Sequence, residues 1–595
     1  MKASASPNQL PAVGAIGVGT PSKKSERRRL AVFLCDYLLL ISLILGSVLI
    51  CRGVPPWAPH SCRFDTQGGA PTEGRPYKLG HPLILSNQIV FAQKNSAPPK
   101  KLPAADKIIE NYLRATGGKK RVAALKDATY DWTIQLKGSS IGTARTQRKP
   151  PSAERWELTF GNGQIISASS ASSAWETGLD GRMHTLIGPE GAVAKLQASL
   201  DASHLINYKK VNTLARVISL IDLGSERAYI VEFATRGGAR LQYYFSVKTG
   251  LLIKITDDVR KTQTWFEDFR SERGILEPHR IRLNISGSGE LTLLLQSVQY
   301  NAGVAERIFD PPGATEALDV PALLREVGKN QDEIEKRVTE YGFTQKETDR
   351  EINGKGEIKK ETVKVYEVFP LANREPVLKL ISENGIALSG ERAAKEDKRV
   401  QDEFLKAERD KEKNAQQVAR RRAEEEKKQK AAGKEDGEDP EISQFLKVCE
   451  FVSPRREQFG GRDAIVFDFR PRAGFRPGNR EESLIAKLVG AIWIDPVDKQ
   501  VIRLEARLAE GFKMAGGLLL SLRPGAAMVM EQTRMVEGVW LPRFAQVNLS
   551  LKVLLFGGGD LNKTIEWSDY RHFSGDVKDY KIDAPKPGDE SNKKP

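Results

Sequence analysis

The chain has 595 residues, 40% of them hydrophobic and 28% charged, with a net charge of +15 and a pI near 9.4. That length allows two to four domains, and both signs of charge are spread along it, so no nucleic-acid-binding stripe stands out and nucleic acid is not expected as a partner. The four cysteines, Cys35, Cys51, Cys62 and Cys449, supply neither a disulfide framework nor a paired-cysteine metal site.

Residues 1–29 read as a basic cytoplasmic tail ending in Lys23, Lys24, Arg27, Arg28 and Arg29. The apolar run "LAVFLCDYLLLISLILGSVLI" follows, with Asp36 its only carboxylate, and segment 30–51 is predicted to be a transmembrane signal-anchor. About 20 apolar residues cross a bilayer as a helix. The basic flank ahead of the run keeps the N-terminus in the cytoplasm and exports the remainder. "IVFAQ" at Ile89 offers a cleavage pattern, but it lies far beyond the apolar run, so a retained anchor is favoured over a cleaved signal. Residues 52–104 are rich in Pro, Gly and Ser and read as a flexible linker.

The first folded domain is placed at 105–317. It opens with a helix whose stripe is Ile108, Ile109, Tyr112 and Leu113, stopped by Gly117 and Gly118. Strands follow. Tyr130, Trp132, Ile134 and Leu136 alternate with polar residues, as do Leu241, Tyr243, Phe245 and Val247, and then Ile281, Leu283 and Ile285. A period of two puts the apolar side chains on one face, and one dry face beside one wet face means an antiparallel sheet.

Residues 318–388 read as a helix and a hairpin belonging to a second domain, and 441–583 as the remainder of that domain. Between them, 389–440 is a charged helical insertion. Its apolar residues are few (Val400, Phe404, Leu405, Val418), so it reads as a solvated helix or arm, with a protein partner along it as the alternative. In the second domain Ile502, Leu504, Ala506 and Leu508 alternate with Arg503, Glu505, Arg507 and Ala509, and Val547, Leu549, Leu551 and Val553 alternate with Gln546, Asn548, Ser550 and Lys552. Residues 584–595 read as a disordered tail.

One pattern occurs twice. Glu267, Arg270, Gly274 and Pro278 recur as Glu531, Arg534, Gly538 and Pro542, each displaced by 264 residues. The pattern predicts a strand, a hairpin turn at the glycine and the start of the returning strand at the proline. Glu and Arg three apart on a strand point to opposite faces, so they are not expected to pair. A duplicated sheet module is the expected origin.

Catalytic constellations are missing. The six histidines show no metal-ligand spacing, and there is no GxSxG elbow, P-loop or GxGxxG. The expectation is a protein that is not an enzyme and uses no cofactor and no metal.

The segments "IIENYLRATGGKKRVAALKDATYDWTIQLKG", "YYFSVKTGLLIKITDD", "FEDFRSERGILEPHRI" and "ERIFDPP", in this order, resemble the LolA/LolB-type lipoprotein-carrier superfamily, the outer-membrane lipoprotein-sorting-like domains of exported bacterial proteins. The resemblance covers about 104–312 and returns more weakly in "GAIWIDPVDKQVIRLEARL" and "EQTRMVEGVWLPRF". It implies a mainly β fold with helices (α+β), built as two curved antiparallel half-barrel sheets, each covered by helices, with acyl chains held in the apolar concavity. The classical carrier of that superfamily is a small soluble single domain; it is the basic flank and apolar run of this chain that predict an inner-membrane, single-pass protein with periplasmic domains, released to the periplasm if the N-terminal segment is cleaved. Its partner would be lipid or lipidated protein. The alternative is an envelope regulatory or interaction protein whose cavity is filled by its own side chains. On the carrier reading, bulky residues of the dry faces line the ligand site: Trp132, Ile134, Tyr243 and Phe245 in the first domain, and Trp493, Leu504 and Leu549 in the second.

Overall fold

The computed structural model describes residues 102–206, 208–285, 289–313, 318–338, 340–353, 356–371, 374–407, 440–514, 520–535, 538–553 and 557–572. The expected tail, anchor and almost all of the linker lie outside these residues, as do Val418, most of the charged insertion and the segment 584–595. Among the described residues no helix is long and apolar enough to cross a membrane.

The described strands form two large antiparallel sheets. In the first, the strands from Ala128–Leu136 to Met183–Thr185 pair in succession to make one arm, and those from Leu214–Leu223 to Gly289–Tyr300 make another. The first strand pairs with the last, Ala128 facing Tyr300, which joins the arms into one thirteen-stranded sheet. The second sheet is wired the same way. One arm runs from Tyr341–Ile352 to Ile386–Ala387 and the other from Cys449–Phe459 to Gly557–His572, and Tyr341–Ile352 pairs with Gly557–His572. Its departures are a first arm of four strands where the first sheet has six, and an added hairpin, Phe512–Met514 with Leu520–Leu522, off the main path.

This wiring puts the two copies of the repeated pattern in equivalent places. Gly274 turns between Thr262–Glu272 and Ile275–Ile285, and Gly538 between Ala527–Arg534 and Trp540–Val553. In chain order these are the third-last and second-last strands of each sheet. Both glycines have positive φ, +83° and +82°, where a Cβ is disfavoured. Pro278 and Pro542 sit near the start of the returning strands, opposite Phe269 and Gln532. The Glu and Arg of each copy find different partners: Glu267 pairs with Arg282 and Arg270 with Asp268, while Glu531 pairs with Arg503 and Arg534 with Asp498.

The core of the first half follows the sequence pattern. The helix Ala105–Ala115 buries Ile108, Ile109, Tyr112 and Leu113 against Val231, Phe233, Tyr243 and Phe245. In Ala128–Leu136, Ala128, Tyr130, Trp132 and Ile134 are buried at alternate positions. Leu136 departs from the expectation and is exposed, because the chain turns immediately after it through Lys137 and Gly138, both at positive φ. Val247 is also exposed, just beyond the end of Arg240–Ser246.

A larger departure concerns the face expected to be wet. Leu488–Asp495 is buried at every position, and Arg503 in Gln500–Leu508 is only 4% exposed. The cover comes from the first half. The helix Gly188–Asp201 buries Gly191, Val193, Ala194, Leu196, Ala198, Ser199 and Leu200, which lie all round its circumference. Val193, Leu196 and Leu200 pack into the first core, while Lys195 reaches the second sheet and bonds Glu505 at 3.1 Å. Buried residues all round a helix leave no single amphipathic stripe, so periodicity does not reveal it. The opening part of the charged insertion is likewise docked: Val400 and Phe404, in a helix over 390–407, pack against Phe369 and Val377.

Candidate functional site

A cavity of about 830 Å³ lies between the second sheet and the first half. Its floor is one face of the second sheet, and strand register explains which residues reach it. Arg503, Glu505 and Arg507 alternate with Leu504, Ala506 and Leu508. They are paired with Glu531, Val529 and Ala527 on the next strand, which are paired in turn with Phe544, Gln546 and Asn548. Paired residues share a face, so these three rows make a continuous surface. The roof is the Gly188–Asp201 helix, through Pro189, Ala192, Val193, Lys195, Leu196 and Ser199, together with the loops 211–213 and 235–239.

The lining is mixed. Val193, Leu196, Val529 and Phe544 contribute apolar wall, while six basic side chains (Lys195, Arg236, Lys346, Arg503, Arg507, Arg543) meet three carboxylates (Glu505, Glu531, Glu566). Burial by itself pushes the Glu505 carboxyl up, but Lys195 and Arg503 more than offset it and hold the pKa at about 2. Arg503 lies 2.5 Å from Glu505 and also bonds Glu531, and Lys346 pairs with Glu566 at 2.7 Å.

The two halves meet beside this cavity through buried charges. Arg455, 2% exposed, bonds Glu457 at 2.7 Å and Asp468 at 3.1 Å within the second half, and Thr185 Oγ1 of the first half at 2.6 Å. Ser173 of the first half donates to Asp468, and Thr185 donates to Glu457. Burial raises the Asp468 carboxyl above its ordinary range, against the pull of Arg455.

None of the seven side chains expected to line a ligand site lines this cavity. All seven are buried. Trp132 and Ile134 share one core cluster with Tyr130, Ile281 and Leu293, and the Trp132 indole donates to Thr146 at 3.1 Å. Tyr243 and Phe245 share another, where Phe245 meets the edge of Tyr112 at 5.5 Å and Tyr243 that of Phe233 at 5.0 Å. Trp493 packs with Ala464, Val466 and Trp540, with Ile187 of the first half against them. Leu504 and Leu549 lie on the opposite face of their strands from the cavity-lining Arg503, Glu505 and Asn548. All seven are packed as core; Trp493, paired with Arg503, shares the cavity's face of the sheet, while on the strands of Leu504 and Leu549 the cavity uses the polar alternates. The signal that could have pointed to them is Arg503, Glu505 and Arg507, charged at every second position.

Among the described residues no group of His, Cys, Asp and Glu could hold a metal ion. Burial pushes the Cys449 thiol up to about 12, so it is no nucleophile at neutral pH.

No family model and no curated protein matches the chain. Solved structures do, and the chain is similar to members of the LolA superfamily. The LolA superfamily protein NE2245 from Nitrosomonas europaea is 11% identical over 35% of this chain and 99% of its own, with a TM-score of 0.26. A putative outer membrane lipoprotein-sorting protein domain from Vibrio parahaemolyticus is 11% identical over 34% of this chain and 96% of its own, with a TM-score of 0.24. The Pseudomonas aeruginosa MucA/MucB complex matches over 78% of this chain and 99% of that one at 7% identity, with a TM-score of 0.16. At these scores the likenesses carry no weight for function.

Proposed function

We propose that this chain is a non-catalytic binding protein of the bacterial cell envelope, anchored in the inner membrane through segment 30–51 with its folded part in the periplasm, and that it holds lipid or lipidated protein. The observation that carries the reading is the 830 Å³ cavity, which falls in the roughly 300–1,000 Å³ range of small-molecule sites. Its apolar wall suits an acyl chain. On this reading the ligand lies between the second sheet and the helix and loops of the first half, and not on the dry face of either sheet.

Native mass spectrometry of the full-length purified chain tests this. Lipid-mass adducts are expected on the parent protein, and Val529→Trp, which fills the cavity from its floor, should remove them. Bare protein in both cases would sink the lipid reading. A cytoplasm-only reporter fused after Pro595 should be silent if the folded part is exported, and activity there would overturn the localisation.

The second reading is an envelope interaction protein with no lipid cargo. It is favoured by the dense packing of Trp132, Ile134, Tyr243 and Phe245, which fills the dry faces of the first sheet with the protein's own side chains. On that reading a protein partner, and no lipid, copurifies with the chain.

A further inference from the structure

Arg507 stands apart from Lys195, Arg503, Arg543 and Lys346, the cations of the cavity that carboxylates hold. Lys195 and Arg503 are paired with Glu505, Arg543 lies 3.7 Å from Glu531, and Lys346 is paired with Glu566. Arg507 has no carboxylate within ion-pair distance among the described residues, and its Nε is cut off from solvent without a hydrogen-bond partner. Burial alone draws its pKa down to about 10. Its neighbours on the same row are Val489, Ala527 and, one strand further, Asn548, whose buried Oδ1 is also unpartnered. The nearest carboxylate along its own strand face, Glu505, already serves Lys195 and Arg503. A half-buried guanidinium with one nitrogen cut off from water and no anion to meet is a costly thing to keep. It is also a planar fork of donors matched to a carboxylate or phosphate.

We propose that Arg507 receives the anionic group, carboxylate or phosphate, of the ligand that occupies this cavity, with the Asn548 amide beside it and the apolar part of the ligand lying toward Val529, Phe544 and Leu196. This rests on the binding reading above and adds the ligand's charge and its orientation. Lys195, Arg503, Arg543 and Lys346, held by Glu505, Glu531 and Glu566, frame the cavity and leave this guanidinium for the ligand.

The test uses a fluorescent C18 fatty acid, its uncharged methyl ester and inorganic phosphate, each titrated into the full-length chain and into Arg507→Met. The parent should bind the acid at least about tenfold more tightly than the ester. Arg507→Met should bind the two equally and melt no lower than the parent, because no protein partner is lost. Equal binding of acid and ester by the parent, or a preference that survives in Arg507→Met, overturns the assignment while the carrier reading stands. If neither amphiphile binds but phosphate does, and Arg507→Met abolishes that binding, the anion site stands and the lipid reading falls. If none of the three binds, both fall.

Discussion

Asp201 closes the Gly188–Asp201 helix, and its carboxylate is 11% exposed. It accepts from the Tyr243 hydroxyl at 2.9 Å and from Gln197 at 3.3 Å, with an Arg148 nitrogen 4.0 Å away. Burial, and after it the neighbouring Glu154, raises its pKa from 3.8 to about 6, although Arg148, Tyr243 and Gln197 pull the other way. Between those two values the folded chain keeps a proton that the unfolded chain has released. The stability tied to this group is therefore whole below 3.8 and is lost as the pH rises through about 6. The gap corresponds to about 3 kcal/mol. Asp201→Asn removes the titration and keeps an acceptor for Tyr243. The variant should gain about 3 kcal/mol on the parent between pH 4 and pH 8, roughly 6–12 °C in Tm for a domain of 150–250 residues. Thermal unfolding followed by circular dichroism at one-unit pH steps measures it. A Tm difference that is flat with pH, or one that moves toward the parent as pH rises, would refute the claim that the buried anion is the destabilising form.

Phe245→Ala, at a fully buried ring set against Tyr112, should cost about 3–5 kcal/mol in denaturant unfolding and leave apolar-probe binding unchanged, since the ring is not part of the cavity lining. Gly274→Val and Gly538→Val should each lower stability by more than about 1 kcal/mol, because both glycines have φ near +80°, whereas Gly161→Val, in an open turn without positive φ, should cost less. Arg455→Met leaves Asp468 and Glu457 buried beside one another without their cation and should cost about 3–5 kcal/mol, read as a lower Tm and faster proteolysis. Adding Asp468→Asn should recover part of that loss, and a double variant no more stable than the single would show that the charge is not the cause.

The local grammar of the fold was legible in the residues. The stripe of Ile108, Ile109, Tyr112 and Leu113 predicted a helix with one buried face, and the alternation of Tyr130, Trp132 and Ile134 predicted a strand with one buried face. Both periods are properties of backbone geometry and need no information from the rest of the chain. The repeated Glu, Arg, Gly and Pro marked two hairpins that stand at the same place in two sheets of the same wiring, because a positive φ selects glycine locally.

The site was not legible, for three physical reasons. Alternation shows that two faces differ, but not what lies against each, so a row such as Arg503, Glu505 and Arg507 reads like any solvated face. The helix that covers it, Gly188–Asp201, has buried residues all round its circumference and so shows no single stripe. The third reason is distance along the chain. Lys195 and Glu505 are 310 residues apart, and Thr185 and Arg455 are 270 apart. By itself the sequence determined which residues form strands and which face of each is apolar. The tertiary structure alone decided that the polar face of the second sheet would be roofed by the first half, since that depends on how two surfaces dock. The docking turned a row of apparently solvated charges into the wall of a cavity and left one guanidinium in it without a partner.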